Sequence, residues 1–232
     1  MRLLHYDNGD LSLTEFFKSE IPEYAILSHR WDAEEVTFED LQNRTGTNKA
    51  GYEKIWFCGE QASRDGLKYF WVDTCCIDKS SSAELSEAIN SMFRWYYKST
   101  KCYVYLSDVL RTAVNTDDRA WESAFRNSKW FTRGWTLQEL IALKSVEFFS
   151  KSGELLGDKS TLERQVCEIT GIPAKALQGS PLFSFSIAER MSWADRRQTT
   201  CEEDQAYSLL GIFDISMSVI YGEEREKAMR RL

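Results

Sequence analysis

The sequence has 232 residues, of which 43% are hydrophobic and 13% aromatic, enough for one large globular domain or a domain with an appendage. A formal net charge of −7 argues against nucleic acid or an anionic membrane as a partner. No apolar run approaches membrane-spanning length, and the N-terminus around Asp7 lacks the apolar region of a secretory signal. The sequence therefore indicates a cytoplasmic protein.

Cysteine and histidine are the residue types that most often bind zinc. The six cysteines have irregular spacing and no CxxC pair, and the only histidines are His5 and His29. We therefore expect no metal site and six reduced thiols. Cys75 and Cys76 end a strand-like run, where either a reactive thiol or a buried reduced pair is conceivable. The buried pair is the better fit to a reducing compartment.

Four short runs rich in apolar, aromatic and β-branched residues are typical of buried strands. They are residues 23–28, 68–73, 101–106 and 146–149. Helical periodicity lies between and around these runs. The predicted helices are residues 11–19, 49–65, 85–96 and 135–143. This alternation predicts an α/β domain with a mainly parallel sheet, helices on both faces, and the second strand beside the first.

The pattern changes after Ser150. Short helices are predicted at residues 161–170, 181–193 and 202–210, joined by turns that contain glycine and proline. We therefore expect an α/β core in residues 1–150 and a helical C-terminal extension of the same domain in residues 151–232.

Polar residues follow the predicted strands. Ser28, His29 and Arg30 end the first strand, Asp73 ends the second, and Asp108 follows the third. Because ligands bind beyond the carboxyl ends of parallel strands, these groups are expected to converge on one edge of the sheet. Taken singly, each of them also fits a turn or a helix cap.

The predicted helix at residues 135–143 carries one acid. At about 100° per residue, Leu137, Leu140 and Ile141 share the face that a core would bury, and Trp135 and Glu139 lie roughly opposite. Two interpretations stay open: a pocket wall with an acid in it, or a solvated glutamate beside a buried tryptophan. On either, a position off the core stripe predicts that Glu139 is largely dispensable for folding.

Common catalytic signatures are absent from the sequence. It has no GxGxxG, no GxxxxGK[ST] and no GxSxG motif, so neither a standard dinucleotide site, a P-loop nor a nucleophile elbow is indicated. His29 has no orienting partner placed beside it in the sequence, which makes it a weak candidate base for a nucleophile.

Three segments together resemble the signature blocks of the HET domain, the fungal heterokaryon-incompatibility domain. They are YAILSHRW (residues 24–31), FWVDTCCIDKSSSAELSEAINSMFRWY (70–96) and WFTRGWTLQELIA (130–142), and residues 202–224 resemble the family's tail. The likeness is closest to HET domains at the N-terminus of fungal NOD-like receptors. It implies a death-inducing effector that self-associates and is followed by nucleotide-binding and repeat domains.

HET domains remotely resemble TIR domains, which have a flavodoxin-like parallel sheet. Many TIR domains cleave NAD+ with one glutamate in a W-C-x-x-E type motif. Here Trp135 and Glu139 keep that spacing, and Thr136 stands where the family often has cysteine. The resemblance thus implies that Glu139 is catalytic and that NAD+ is a substrate, with no cofactor.

The resemblance also suggests roles around Glu139. Trp31 or Trp135 would stack on a ring, and Arg30 or Arg133 would hold the pyrophosphate. Asp73 would hold a ribose hydroxyl or orient Arg30. The full set of expected substrate-binding residues is Ser28, His29, Arg30, Trp31, Asp73, Asp78, Arg133 and Trp135.

A non-enzymatic interpretation stays open beside this one. Some TIR domains are adaptors without activity, and a fold alone does not define a function. In a signalling module that acts by oligomerisation and partner recruitment, Arg133 would pair with an acid and Trp135 would fill a groove. Glu139 would then accept backbone hydrogen bonds.

Overall fold

Seven strands form one sheet in the order β2-β1-β4-β3-β5-β6-β7. The computed structural model describes residues 1–7, 9–17, 20–111 and 118–232, with residues 118–120 described by their backbone only. The strands are β1 (Arg2–Asp7), β2 (Asp10–Glu15), β3 (Tyr24–His29), β4 (Tyr69–Trp71), β5 (Lys101–Leu106), β6 (Val146–Ser150) and β7 (Leu155–Asp158).

The four strands predicted from the sequence form the parallel centre of the sheet. β3 pairs in parallel with β4 on one side, where Tyr24 faces Tyr69, and with β5 on the other, where Ala25 faces Lys101. β5 pairs in parallel with β6. The prediction that the second of these strands lies beside the first is confirmed, and the protein has an α/β fold.

Antiparallel strands flank this centre on both sides and were not predicted. β1 and β2 form a hairpin that joins the sheet through β4, and β7 pairs with β6. The helix expected at residues 11–19 is wrong, because residues 10–15 form β2. The period-2 alternation of Leu11 and Leu13 with polar residues favours a strand. Residues 18 and 19 lie outside the described residues.

The other predicted helices correspond to helices of the structure. The helices are α1 (Phe38–Gln42), α2 (Tyr52–Arg64), α3 (Ser82–Lys98), α4 (Asp118–Arg126), α5 (Thr136–Ala142), α6 (Glu163–Thr170), α7 (Ala174–Leu177), α8 (Ile187–Ser192), α9 (Asp204–Tyr207), α10 (Leu210–Phe213) and α11 (Arg225–Arg231). Short 3-10 helices form at Lys129–Thr132 and Leu182–Ser184. Within the described ranges, none of the helices has the length and apolar character needed to cross a membrane.

Helices and loops cover both faces of the sheet. On β6, Phe149 packs on Phe57 of α2, with ring centroids 5.0 Å apart, and its neighbour Phe148 packs on Trp130 at 5.8 Å. Because successive side chains of a strand point to opposite faces, these two contacts lie on opposite sides of the sheet. All six residues of β3 are accordingly buried.

Residues 151–232 contribute one strand and six helices to the described structure. β7 continues the sheet beyond residue 150, with Gly157 facing Phe148 of β6. Farther along, α10 packs on α3 so closely that the Phe93 side chain lies against Gly211. The C-terminal region therefore adds to the sheet and also covers α3.

Candidate functional site

A cavity of about 350 Å³ opens beyond the carboxyl ends of β3 and β4. Its volume falls in the usual range of small-molecule sites, about 300–1,000 Å³. Apolar residues of α3 form one wall, and polar and aromatic groups form the rest. The lining residues are His29, Trp31, Asp73, Ile77, Lys79, Leu85, Ala88, Ile89, Met92, Arg133, Trp135, Thr136, Glu139, Thr200, Cys201, Asp204 and Tyr221.

Six of the nine residues expected at the site line this cavity. These residues are His29, Trp31, Asp73, Arg133, Trp135 and Glu139. Ser28 lies directly behind the lining, hydrogen-bonded to Glu139. The two remaining residues, Arg30 and Asp78, lie outside the lining.

Arg30 and Asp78 have local structural contacts instead. The Arg30 guanidinium lies 3.9 Å from Asp32, and its backbone carbonyl accepts a hydrogen bond from Lys54 at 3.0 Å. The Asp78 carboxylate accepts hydrogen bonds from the backbone and the hydroxyl of Ser80, in the turn before α3. The contacts of Asp78 are those of an aspartate in a turn, and those of Arg30 are local to the loop after β3.

Glu139 is buried, with 8% of its surface exposed. All seven residues of α5 are buried, so of the two interpretations of Glu139 the solvated glutamate is wrong. Ser28 donates a hydrogen bond to the Glu139 carboxylate, and the Trp130 indole N–H donates to the Ser28 hydroxyl at 2.9 Å. A chain of two hydrogen bonds thus fixes the carboxylate from behind.

Burial raises the pKa of Glu139 to about 8, because the charged form loses its hydration. The nearby carboxylate of Asp73 raises it further, whereas hydrogen bonds from Ser28 and Tyr96 and the positive charge of Arg197 lower it. Glu139 therefore holds a proton at neutral pH in the free protein. A positive charge entering the cavity would favour the ionised carboxylate.

Two buried cations from the C-terminal region hold the ends of α5. Arg197 donates to the Thr136 hydroxyl at 2.8 Å at the first turn. Lys159 donates to the backbone carbonyls of Leu140 and Leu143 at 2.6 and 2.8 Å, which satisfies orphan acceptors at the helix end. Burial lowers the pKa of Arg197 to about 9 and that of Lys159 to about 8. Neither residue carried a motif in the sequence.

At one end of the cavity Trp31 is held between an acid and a cation. Its indole N–H donates to the Asp73 carboxylate at 2.8 Å, and 44% of its surface is exposed. The Lys79 ammonium lies over the ring, 3.5 Å from the centroid. Burial lowers the pKa of Lys79, although the charge of Asp73 opposes this. Sequence reasoning missed Lys79.

At the other end, residues of the C-terminal region close the cavity. The Trp135 indole N–H donates to Asp204 at 3.1 Å, and the Tyr221 hydroxyl donates to the same carboxylate at 2.9 Å. Arg133 donates to the Thr200 hydroxyl at 3.1 Å. The only sequence signal for this wall was the resemblance of residues 202–224 to a family tail.

His29 lies between two carboxylates. Its ring nitrogens are 3.6 Å from Glu35 and 3.8 Å from Asp73, and neither nitrogen has a hydrogen-bond partner in the described part of the chain. Burial raises the pKa of Glu35, but His29 and Lys54 outweigh this effect and lower it to about 2. The imidazole is therefore oriented by ionic groups on both sides.

The cysteines lie mostly in the core. Cys58, Cys75, Cys76 and Cys102 are buried, and burial raises the pKa of Cys75 well above its usual range. A thiol with a raised pKa is a poor nucleophile at neutral pH, so Cys75 behaves as a packing residue, and its neighbour Cys76 is buried beside it. Among the described residues, no group of three His, Cys, Asp or Glu side chains is placed to hold a metal ion.

Comparison with known proteins identifies the family. Residues 24–116 match the family described as "Heterokaryon incompatibility protein (HET)". The whole chain is 57% identical over 237 aligned residues to "Vegetative incompatibility protein HET-E-1" of Podospora anserina, and it covers 18% of that protein's length. No solved structure matches the chain. Residues 24–116 thus carry a heterokaryon incompatibility (HET) domain, and the whole chain is similar to a protein with incompatibility in its name.

Proposed function

We propose that this HET domain is a cell-death effector that cleaves NAD+ at the nicotinamide–ribose bond, with Glu139 as its catalytic residue. The observation that carries the proposal is the position of Glu139. It is a buried carboxylate, held by Ser28, that lines a cavity with two tryptophans and an arginine. The similarity to a vegetative incompatibility protein of Podospora anserina supports a role in cell death.

The proposed reaction uses one carboxylate. The bond between the ribose C1′ and the pyridinium nitrogen breaks, its electron pair neutralises the nicotinamide, and positive charge develops on the ribose. Water then attacks C1′ and releases a proton, so that NAD+ and water give nicotinamide, ADP-ribose and a proton. An ionised Glu139 near C1′ stabilises the developing charge.

The positive charge of the substrate would change the protonation state of Glu139. The carboxyl is protonated at neutral pH in the empty site, since its pKa is about 8. The pyridinium ring carries a positive charge, which favours the ionised form of an acid within about 4–6 Å. Binding of NAD+ would therefore expel the proton and generate the catalytic carboxylate.

The other lining residues fit the substrate in part as expected. Of the two arginines proposed for the pyrophosphate, Arg133 lines the cavity and Arg30 does not, so we assign this role to Arg133. Trp31 and Trp135 line the cavity with their rings, and we assign Asp73, which also lines it, to a ribose hydroxyl. The central order β4-β3-β5-β6 is the start of the flavodoxin-like order 2-1-3-4-5, which supports the TIR likeness.

A non-enzymatic signalling role is the second candidate. Its support is the exposure of two large apolar side chains of the C-terminal region, Phe183 at 86% and Ile187 at 67%. Exposed apolar side chains that cluster often mediate association between proteins. We further propose that the domain acts in the cytoplasm as one part of a longer receptor with nucleotide-binding and repeat domains. The greater length of the relative supports this.

NAD+ consumption at high protein concentration tests the proposal. We expect the Glu139→Gln variant to lose roughly two to three decades of activity, as for other single electrostatic contributors. Glu87→Gln, on the exposed surface of α3, is the matched control and should leave the activity unchanged. If folded Glu139→Gln still consumes NAD+ at the wild-type rate, Glu139 is not catalytic. If Glu139→Gln loses all NAD+ consumption and still causes cell death, the signalling role replaces the enzymatic one.

A further inference from the structure

The Trp31 end of the cavity already holds a positive charge. The Lys79 ammonium lies 3.5 Å from the centroid of the Trp31 ring, well inside the distance of about 6 Å at which a cation is attracted to an aromatic face. Both residues line the cavity, so the ammonium lies against a ring face that the cavity offers to a ligand.

Both tryptophans of the cavity have the same arrangement. Trp31 donates its indole N–H to Asp73, and Trp135 donates its indole N–H to Asp204. A hydrogen bond to a carboxylate moves electron density onto the indole, which strengthens the attraction of its face for a cation. With Tyr221, three aromatic residues contribute to the lining.

The charges of the lining also favour a cation. The carboxylates of Asp73 and Asp204 and the carboxyl group of Glu139 line the cavity, together with the two cations Lys79 and Arg133. Arg133 is held by Thr200, whereas Lys79 extends over Trp31 from the turn before α3. If the flexible Lys79 side chain moved out, the lining would carry the carboxylates of Asp73 and Asp204 against one guanidinium, and Glu139 would ionise as a positive charge entered. The cavity would then be complementary to a positively charged aromatic ring.

We propose that the face of Trp31 binds the positively charged pyridinium ring of the substrate, and that Lys79 competes with it by occupying this face in the free protein. The identity of the ring rests on the proposed cleavage of NAD+. Lys79 then acts as an internal competitor that weakens substrate binding until its side chain leaves the ring. The site selects pyridinium compounds over their neutral counterparts.

Binding of 1-methylnicotinamide tests this inference, because the compound carries the charge but has no ribose bond to cleave. Its dissociation constant is measured by calorimetry on the wild type and on Lys79→Met, which keeps the length of the side chain and removes the charge. We expect about tenfold tighter binding to Lys79→Met. Lys68→Met is the matched control, since Lys68 also lies over a ring, that of Tyr69 at 5.2 Å, outside the cavity. It should bind like the wild type.

Binding of neutral nicotinamide distinguishes an effect of the Lys79 charge from an effect of the Lys79 side-chain volume. If Lys79→Met binds nicotinamide and 1-methylnicotinamide more tightly than the wild type by the same factor, Lys79 only fills volume and the inference is wrong. Equal binding of 1-methylnicotinamide to the wild type and Lys79→Met also overturns it. The double variant Trp31→Leu with Lys79→Met should lose the tighter binding of 1-methylnicotinamide. If the double variant keeps the tighter binding, the Trp31 face is not the binding site. If 1-methylnicotinamide binds as expected but the wild type does not consume NAD+, the result contradicts the proposed reaction and leaves this inference intact.

Discussion

The hydroxyl of Ser28 donates a hydrogen bond to the carboxylate of Glu139, although 111 positions separate the two residues in the chain. The same hydroxyl accepts the indole N–H of Trp130 at 2.9 Å. Ser28 therefore joins the carboxyl end of the central strand β3 to the helix that carries the acid. Both groups are buried, so neither bond can be replaced by bulk water without a change in structure.

Removal of this hydroxyl should lower activity and stability together. In Ser28→Ala the Trp130 indole and the Glu139 carboxyl each lose a partner, and a buried polar group left unpaired costs about 1–3 kcal/mol. The proposed NAD+ cleavage should fall because the carboxylate is no longer held. Ser150→Ala is the matched control, since Ser150 is equally buried and bonds to Ser152 instead. Activity that falls equally in both variants would mean that Ser28 acts only on folding.

The free energy of unfolding of Glu139→Gln, relative to that of the wild type, should increase as the pH rises. The pKa of Glu139 is about 8 in the folded protein against an ordinary 4.5, so the folded state binds a proton that the unfolded state releases between these values. The free energy of unfolding of the wild type should therefore fall from pH 5 to pH 8. Glutamine lacks this titration.

Urea unfolding of both proteins at pH 5, 6.5 and 8 measures the effect. The free energy of unfolding of Glu139→Gln relative to wild type should increase by about 2–4 kcal/mol across this range. A difference that stays constant with pH would show that Glu139 has an ordinary pKa. This expectation differs from the one drawn from helical periodicity, by which Glu139 lies off the core stripe and is largely dispensable for folding.

Lys159 should stabilise the helix that carries the acid. In Lys159→Met the carbonyls of Leu140 and Leu143 lose their donor, and the free energy of unfolding should fall by about 1–3 kcal/mol. Lys151→Met, at an exposed lysine, should change it by about 0.5 kcal/mol or less. Thermal unfolding of both variants distinguishes them, and equal melting temperatures would contradict a role for Lys159 at the helix end.

The contact between α10 and α3 should be sensitive to a single methyl group. A Cβ atom on Gly211 would lie 2.1 Å from the Cβ of Phe93, which neither helix can accommodate without moving. Gly211→Ala should therefore destabilise the protein by about 1–3 kcal/mol. Ser216→Ala, at an exposed position in the same region, is the control. A wild-type melting temperature for Gly211→Ala would contradict this close packing.

The strands at the edges of the sheet show where sequence reasoning fails. The central strands are continuous apolar runs, and burial on both faces makes such runs easy to recognise. β2 is only half-buried and its alternation is short, so it was taken for a helix. β7 spans four residues and contains Gly157, which gives little periodicity to detect.

Local features of the sequence determined the four central strands, most helices and the spacing of Trp135 and Glu139, because periodicity and short motifs depend only on neighbouring residues. The tertiary structure decided what surrounds Glu139. Lys79, Lys159 and the C-terminal wall reach the site through chain folding, and so does the hydrogen bond that joins Ser28 to Glu139, so no local pattern reports these contacts. The tertiary structure also decided the protonation of Glu139, because the pKa of an acid depends on burial from every side. The periodicity of one helix describes only the faces of that helix.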